Sequence, residues 1–234
     1  HPELMRMLPS DGHNMAIVDG VPRIGYMRGG KSALWHDEDI ADRITDKAIQ
    51  FIASNNKKPF FLYFGTNDIH VPRVPNERFV GKSGMGPRGD AILSFDYCVG
   101  RVMHALDSLG IADNTLIILS SDNGPVLDDG YQDKAVELLG NHKPGGVYRG
   151  GKYSIFEAGT RVPCIVWWKK GITKPAVSNA LVSQLDFYAS LSTLINSKIP
   201  KNAATDSQNE LNALLGKTQS SRNYLVEQNL HNTL

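Results

Sequence analysis

The chain has 234 residues, with 25 Lys+Arg against 24 Asp+Glu, 41% hydrophobic and 21% charged residues, which is a globular profile and excludes a disordered, collagen-like or coiled-coil chain. A net charge of +1 without any Lys/Arg run leaves no footprint for a phosphate backbone, so a nucleic-acid partner is not expected and a small or carbohydrate ligand is. The longest apolar runs, Pro59–Phe64 and Pro163–Trp168, reach about a third of the roughly 18 residues a transmembrane span needs. Cys98 and Cys164 lack any CxxC or zinc spacing and sit in apolar stretches, which predicts buried free thiols.

Residues 13–30 carry Asp19-Gly20 and further Gly and Pro around short apolar pieces, a pattern of turns with a short hairpin on Val18-Asp19-Gly20, read as surface elaboration. From Asp37, Ile40, Ile44, Ala48 and Phe51-Ile52 recur at helical spacing behind three acidic residues, predicting a helix over 38–54. Lys57-Lys58-Pro59 ends it, and PFFLYF reads as a buried parallel strand leading into the polar loop Gly65–His70. A second amphipathic helix runs from Asp90 through Leu106 to Gly110, followed by a strand at Thr115–Leu119 that ends in SSDNG. A third apolar run, CIVWW, precedes a helix over 183–196, a short helix near 207–216 and a strand start at Tyr224-Leu225-Val226. Alternating strands and helices predict a mostly parallel sheet with helices on both faces and ligand groups at the carboxyl ends of strands.

Two glycine-rich motifs have structural explanations. Gly84–Gly89 fits GxGxxG but follows prolines and charges in place of a strand, so it reads as a loop entering a helix. Gly146–Lys152 mimics P-loop spacing, yet Tyr153 stands where Ser/Thr would hold magnesium. What survives is a lysine on a glycine-rich loop beside Arg149, able to approach an oxyanion. Asp122-Asn123 at a strand end offers two hard oxygen donors suited to calcium, which wants six or more. His70, held by Pro72 and Pro75 after the apolar run, is placed as a proton-transfer group would be. Together these side chains make one oxyanion site.

The order PFFLYF…His70-Val-Pro72, TLIILSSDNG, then RGGKYSIFEAGTRVPCIVWW resembles the type I, formylglycine-dependent sulfatases of the alkaline phosphatase superfamily, from about Asp37 to Asn229. The resemblance implies an α/β fold, the alkaline-phosphatase-like three-layer α/β/α arrangement with a mostly parallel central sheet, present here as a partial domain. It implies Asp122 and Asn123 as ligands of a divalent ion, usually calcium, Lys152 as a contact to the substrate sulfate, and His70 as sulfate-binding group and general acid. Arg149 and His142, with Lys143, would reach a sugar subsite, and Glu157 and Arg161 would form a structural pair fixing the lysine loop.

The family's Cys/Ser-x-Pro-x-Arg motif, whose Cys or Ser becomes formylglycine, has no counterpart here, nor do the remaining aspartates of the calcium shell. The expectation is a fragment: residues 1–200 as part of the catalytic domain, with 1–36 an irregular surface region, and 201–234 as the start of a truncated C-terminal subdomain. Its partners would be a sulfated small molecule or glycan and the missing N-terminal half of the same domain, and it would be inactive by itself. The family implies an exported parent hydrolysing carbohydrate sulfates. A phosphate- or phosphonate-ester hydrolase of the same superfamily and a non-catalytic relative that binds a sulfated ligand stay open.

Overall fold

The structure, a computed structural model, describes residues 5–8 and 12–228. The limit of the resemblance at Asn229 and the end of the 201–234 segment lie outside the described residues. The chain forms two compact units, one of residues through Ile111 together with Val126–Pro144, the other of Ala112–Pro125 with Gly145 onward.

In the first unit, β1 (Ala16–Val18) and β2 (Val21–Arg23) form an antiparallel hairpin with Val18 opposite Val21. Asp19 and Gly20 both have positive φ, 50° and 74°, the backbone of a type I′ turn that matches strand twist. The hairpin is more than surface elaboration. Val21 is fully buried, Arg23 forms a buried ion pair with Asp37, and the Tyr131 hydroxyl donates to the Pro22 carbonyl at 2.6 Å.

Helix α1 (Asp37–Asn55) opens on three acidic residues that suit its dipole and buries Thr45, Ala48 and Ile52 along one stripe. It packs on α2 (Gly86–Ser108), whose buried positions include Ala91, Ser94, Cys98 and Leu106. Arg101 laces the pair by reaching Asp46 at 2.6 Å. Burial pushes the Cys98 thiol up. At the end of α2 the Gly110 N–H donates to Asp107 O and the Ile111 N–H to Leu106 O, both at 3.0 Å, a Schellman motif made possible by the Gly110 φ of 68°.

Helix α2 starts earlier than the apolar pattern predicts because Asp90 caps the preceding loop from inside the helix. Its carboxylate accepts from the N–H groups of Gly81 and Ser83 at 2.8 and 3.0 Å. The loop that leads into the GxGxxG segment is thus held by an internal carboxylate, consistent with a structural loop.

The predicted buried strand at 59–64 enters no ladder among the described residues. Phe60, Leu62 and Phe64 are half-buried, whereas Phe61 and Tyr63 are 75% and 85% exposed. That alternation is the period of an extended chain with one open face. The open face corrects the expectation of burial on both sides.

In the second unit, β3 (Ile117–Ser120) pairs with β4 (Cys164–Trp167), with Ile118 opposite Val166. Both ladders among the described residues are antiparallel, where the strand and helix order predicts parallel pairing. The reason for β3 and β4 is local: between them lie loops and the four-residue α3 (Glu157–Thr160) in place of a full crossover helix, so the chain returns from the same end. Cys164 is exposed, contrary to the buried thiol expected, since the first half of β4 is uncovered.

Helix α4 (Asp186–Leu194) packs on α5 (Leu211–Leu214). Asp186, fully buried, accepts from the Ser183 and Gln208 N–H groups at 2.8 and 2.9 Å and pairs with Arg222 at both Nε and Nη2. Burial pushes its carboxyl up, but Arg222 and the two backbone donors outweigh that and hold it below the usual carboxylate range. The strand expected at Tyr224–Val226 does not form, and Tyr224 and Val226 stay exposed.

Candidate active site

The second unit carries Asp122, Asn123, Lys152 and Arg149. Asp122 and Asn123 follow the last residue of β3, where the ladder stops and the backbone turns. The Asn123 N–H donates to Asp122 Oδ1 at 2.9 Å, and Asn123 Nδ2 donates to the Gly124 carbonyl at 2.9 Å. That bond orients the amide with its nitrogen toward Gly124 and its oxygen as the other end, and Asp122 is exposed. Gln184 braces the turn by donating to the Ser121 carbonyl at 2.6 Å.

The lysine loop is locked to this turn by backbone contacts only glycine permits. Gly124 N–H donates to Gly159 O at 2.8 Å, and Lys152 N–H donates to Pro125 O at 2.9 Å. A Cβ on Gly124 would lie 1.7 Å from Ala158 O, one on Gly151 would lie 2.6 Å from Pro125 O, and one on Gly159 would lie 2.3 Å from Ser154 O. The loop is braced by Glu157 and Arg161, paired at 2.9 Å, with the Arg161 guanidinium 4.5 Å from the Tyr148 ring centre. The expected role of that pair as a structural brace has this geometry. Lys152 is half-buried with Nζ 5.2 Å from the Tyr153 ring, and Arg149 is exposed, its guanidinium 4.0 Å over Phe156.

The first unit carries His70 and His142. His70 Nδ1 lies 2.7 Å from the Val71 carbonyl, and a carbonyl only accepts, so Nδ1 carries a hydrogen. Nε2 lies 4.0 Å from Asp129 Oδ2, with the imidazole 54% exposed. Beneath the loop, Arg73 donates to Ile69 O at 3.2 Å and to Asp133 at 2.6 Å, both charges buried. Burial pushes the Asp68 carboxyl up against a bond from Ser94 that lowers it. His142 is exposed.

Among the described residues no three of His, Cys, Asp and Glu gather as a metal-binding group. Asp122 and Asn123 fit a hard cation in kind, as two oxygen donors, and supply part of the six to eight oxygens that calcium takes.

A family model described as Sulfatase matches residues 13–197. The chain belongs to the sulfatase family. It is 59% identical over 234 residues to an N-acetylgalactosamine-6-O-sulfatase of Bacteroides thetaiotaomicron, covering 100% of this chain and 46% of that relative. A solved structure described with the metabolism of multiple glycosaminoglycans by Bacteroides thetaiotaomicron superposes with a TM-score of 0.95 at 59% identity, over 99% of this chain and 48% of that one. The PsFucS1 sulfatase of Pseudoalteromonas sp. follows at a TM-score of 0.71 and 29% identity, over 88% and 41%. The chain therefore has the alkaline-phosphatase-like α/β fold of the sulfatases, in part, and spans about half the length of the relative with 59% identity. No helix of the described residues is long and apolar enough to cross a membrane.

No motif in the sequence marks Arg73, Asp129 or Asp133. Their contacts to the His70 loop span about sixty positions, as in Arg73 to Asp133, and no local pattern encodes them.

Proposed function

We propose that the parent protein hydrolyses sulfate esters of carbohydrates and that this chain supplies four of the groups that do so. The observation that supports the reading is the lock between the Asp122-Asn123 turn and the Lys152 loop, which joins the backbones that carry two oxygen donors and one lysine in a single frame. The similarity to an N-acetylgalactosamine-6-O-sulfatase along the whole chain supports a 6-O-sulfated N-acetylgalactosamine as substrate.

In this mechanism Asp122 and Asn123 would hold calcium, which supplies positive charge to polarise the sulfuryl group. Lys152 places its ammonium against the sulfate oxygens, where a compact charge is worth more in a water-poor site than in bulk. His70, with its Nδ1 hydrogen given to Val71 O, would act as the doubly protonated imidazolium, passing its Nε2 proton to the departing alcohol oxygen and leaving the neutral ring. Arg149 and His142 would each contact the sugar. Formylglycine would supply the nucleophile in a sulfatase, and neither it nor a full calcium shell is drawn from the residues of this chain. An exported parent fits the family.

The test is sulfate release, followed by ion chromatography, from 6-O- and 4-O-sulfated N-acetylgalactosamine by the full-length parent. Release from the 6-O isomer in preference to the 4-O isomer is the expected result. Release from neither, with the formylglycine mass change verified, overturns the proposal.

A further inference from the structure

Asp129 is unaccounted for by the chemistry above, and it faces the atom that moves the proton. Its Oδ2 lies 4.0 Å from His70 Nε2, its side chain is 13% exposed, and His70 beside it is open. The segment that carries it is anchored: Tyr131 and Asp133 are buried, one bonded to the Pro22 carbonyl and the other to Arg73. Asp129 is therefore held in place before any ligand arrives.

A carboxylate beside a sulfate-binding histidine is a poor neighbour for the sulfate, because two anions held that close repel. The alcohol leaving group carries no such charge, and its hydroxyls donate hydrogen bonds that a carboxylate accepts strongly. Resting on the sulfatase reading, we propose that Asp129 is a specificity residue that accepts a hydrogen bond from a hydroxyl of the sugar next to the scissile ester. A polyhydroxylated leaving group gains this contact. A simple aryl or alkyl group has nothing to offer it.

The test compares the full-length parent with Asp129→Ala and Asp129→Asn on 6-O-sulfated N-acetylgalactosamine, and measures competitive inhibition by each product. For Asp129→Ala, kcat/KM falls and the inhibition constant of free N-acetylgalactosamine rises, each by about 10- to 100-fold, the span that loss of a hydrogen bond to a charged group gives. Inhibition by inorganic sulfate stays unchanged or tightens, which also shows that the variant is folded. Asp129→Asn keeps one acceptor oxygen and recovers part of the loss. Equal weakening of sugar and sulfate inhibition, or no weakening of either, overturns the assignment while leaving the sulfatase reading intact. A parent that releases no sulfate from any ester overturns both.

Discussion

Lys152 hangs from Pro125 by a 2.9 Å bond from its own backbone N–H, three residues beyond Asp122. The ammonium-bearing loop and the turn with the two oxygen donors are thereby parts of one frame. A Cβ on Gly151 would meet Pro125 O at 2.6 Å, so Gly151→Ala must push this frame apart. The expected cost is about 1–3 kcal/mol, as for other overpacked positions. Urea denaturation of the chain checks it, and a variant as stable as the parent sequence would mean that the loops are not locked.

Buried Asp186 makes stability depend on acid. Its carboxyl is held below the usual range by Arg222 and two backbone donors, despite burial. A depressed carboxylate contributes stability above its unfolded value of about 3.9 and loses it as pH falls through the lower folded value. Denaturation midpoints should therefore drop steeply below about pH 4 in the wild type. Asp186→Ala, which leaves Arg222 buried without its partner, should cost about 3–5 kcal/mol near neutral pH and flatten that acid limb.

The Arg73–Asp133 pair, with side chains 3% and 2% exposed, should behave as a unit. Arg73→Met strands a buried carboxylate and should cost about 3–5 kcal/mol, whereas adding Asp133→Asn recovers much of it. A double-mutant cycle by chemical denaturation measures the coupling, and additive losses would contradict it.

Phe61 and Tyr63 present an open apolar face, and Ile165 another, 59% exposed. The isolated chain should self-associate through such faces. Light scattering after size exclusion should show Phe61→Ser with Tyr63→Ser shifting the chain toward monomer, and an unchanged, monodisperse wild-type monomer would refute the expectation.

What the sequence revealed divides by range. The span of α1 followed from its apolar period and acidic start, the end of α2 from Gly110, and the hairpin from Asp19-Gly20, because each is decided within a few residues. The start of α2 was missed because Asp90 reaches back to Gly81 and Ser83. The pairing of β3 with β4 and the open face at Phe61 depend on which other strands are present, which periodicity does not encode. In the candidate site, Asp122, Asn123 and Lys152 stood out by motif, whereas Asp129 and Arg73 act through contacts made only in the folded chain.

The most direct test of the central claim is sulfate release from 6-O-sulfated N-acetylgalactosamine by the full-length parent and its Lys152→Ala variant, measured side by side. The account predicts release by the parent and a loss of about 100-fold or more in the variant, the scale of removing one electrostatic stabiliser. Equal rates in the two proteins would contradict it.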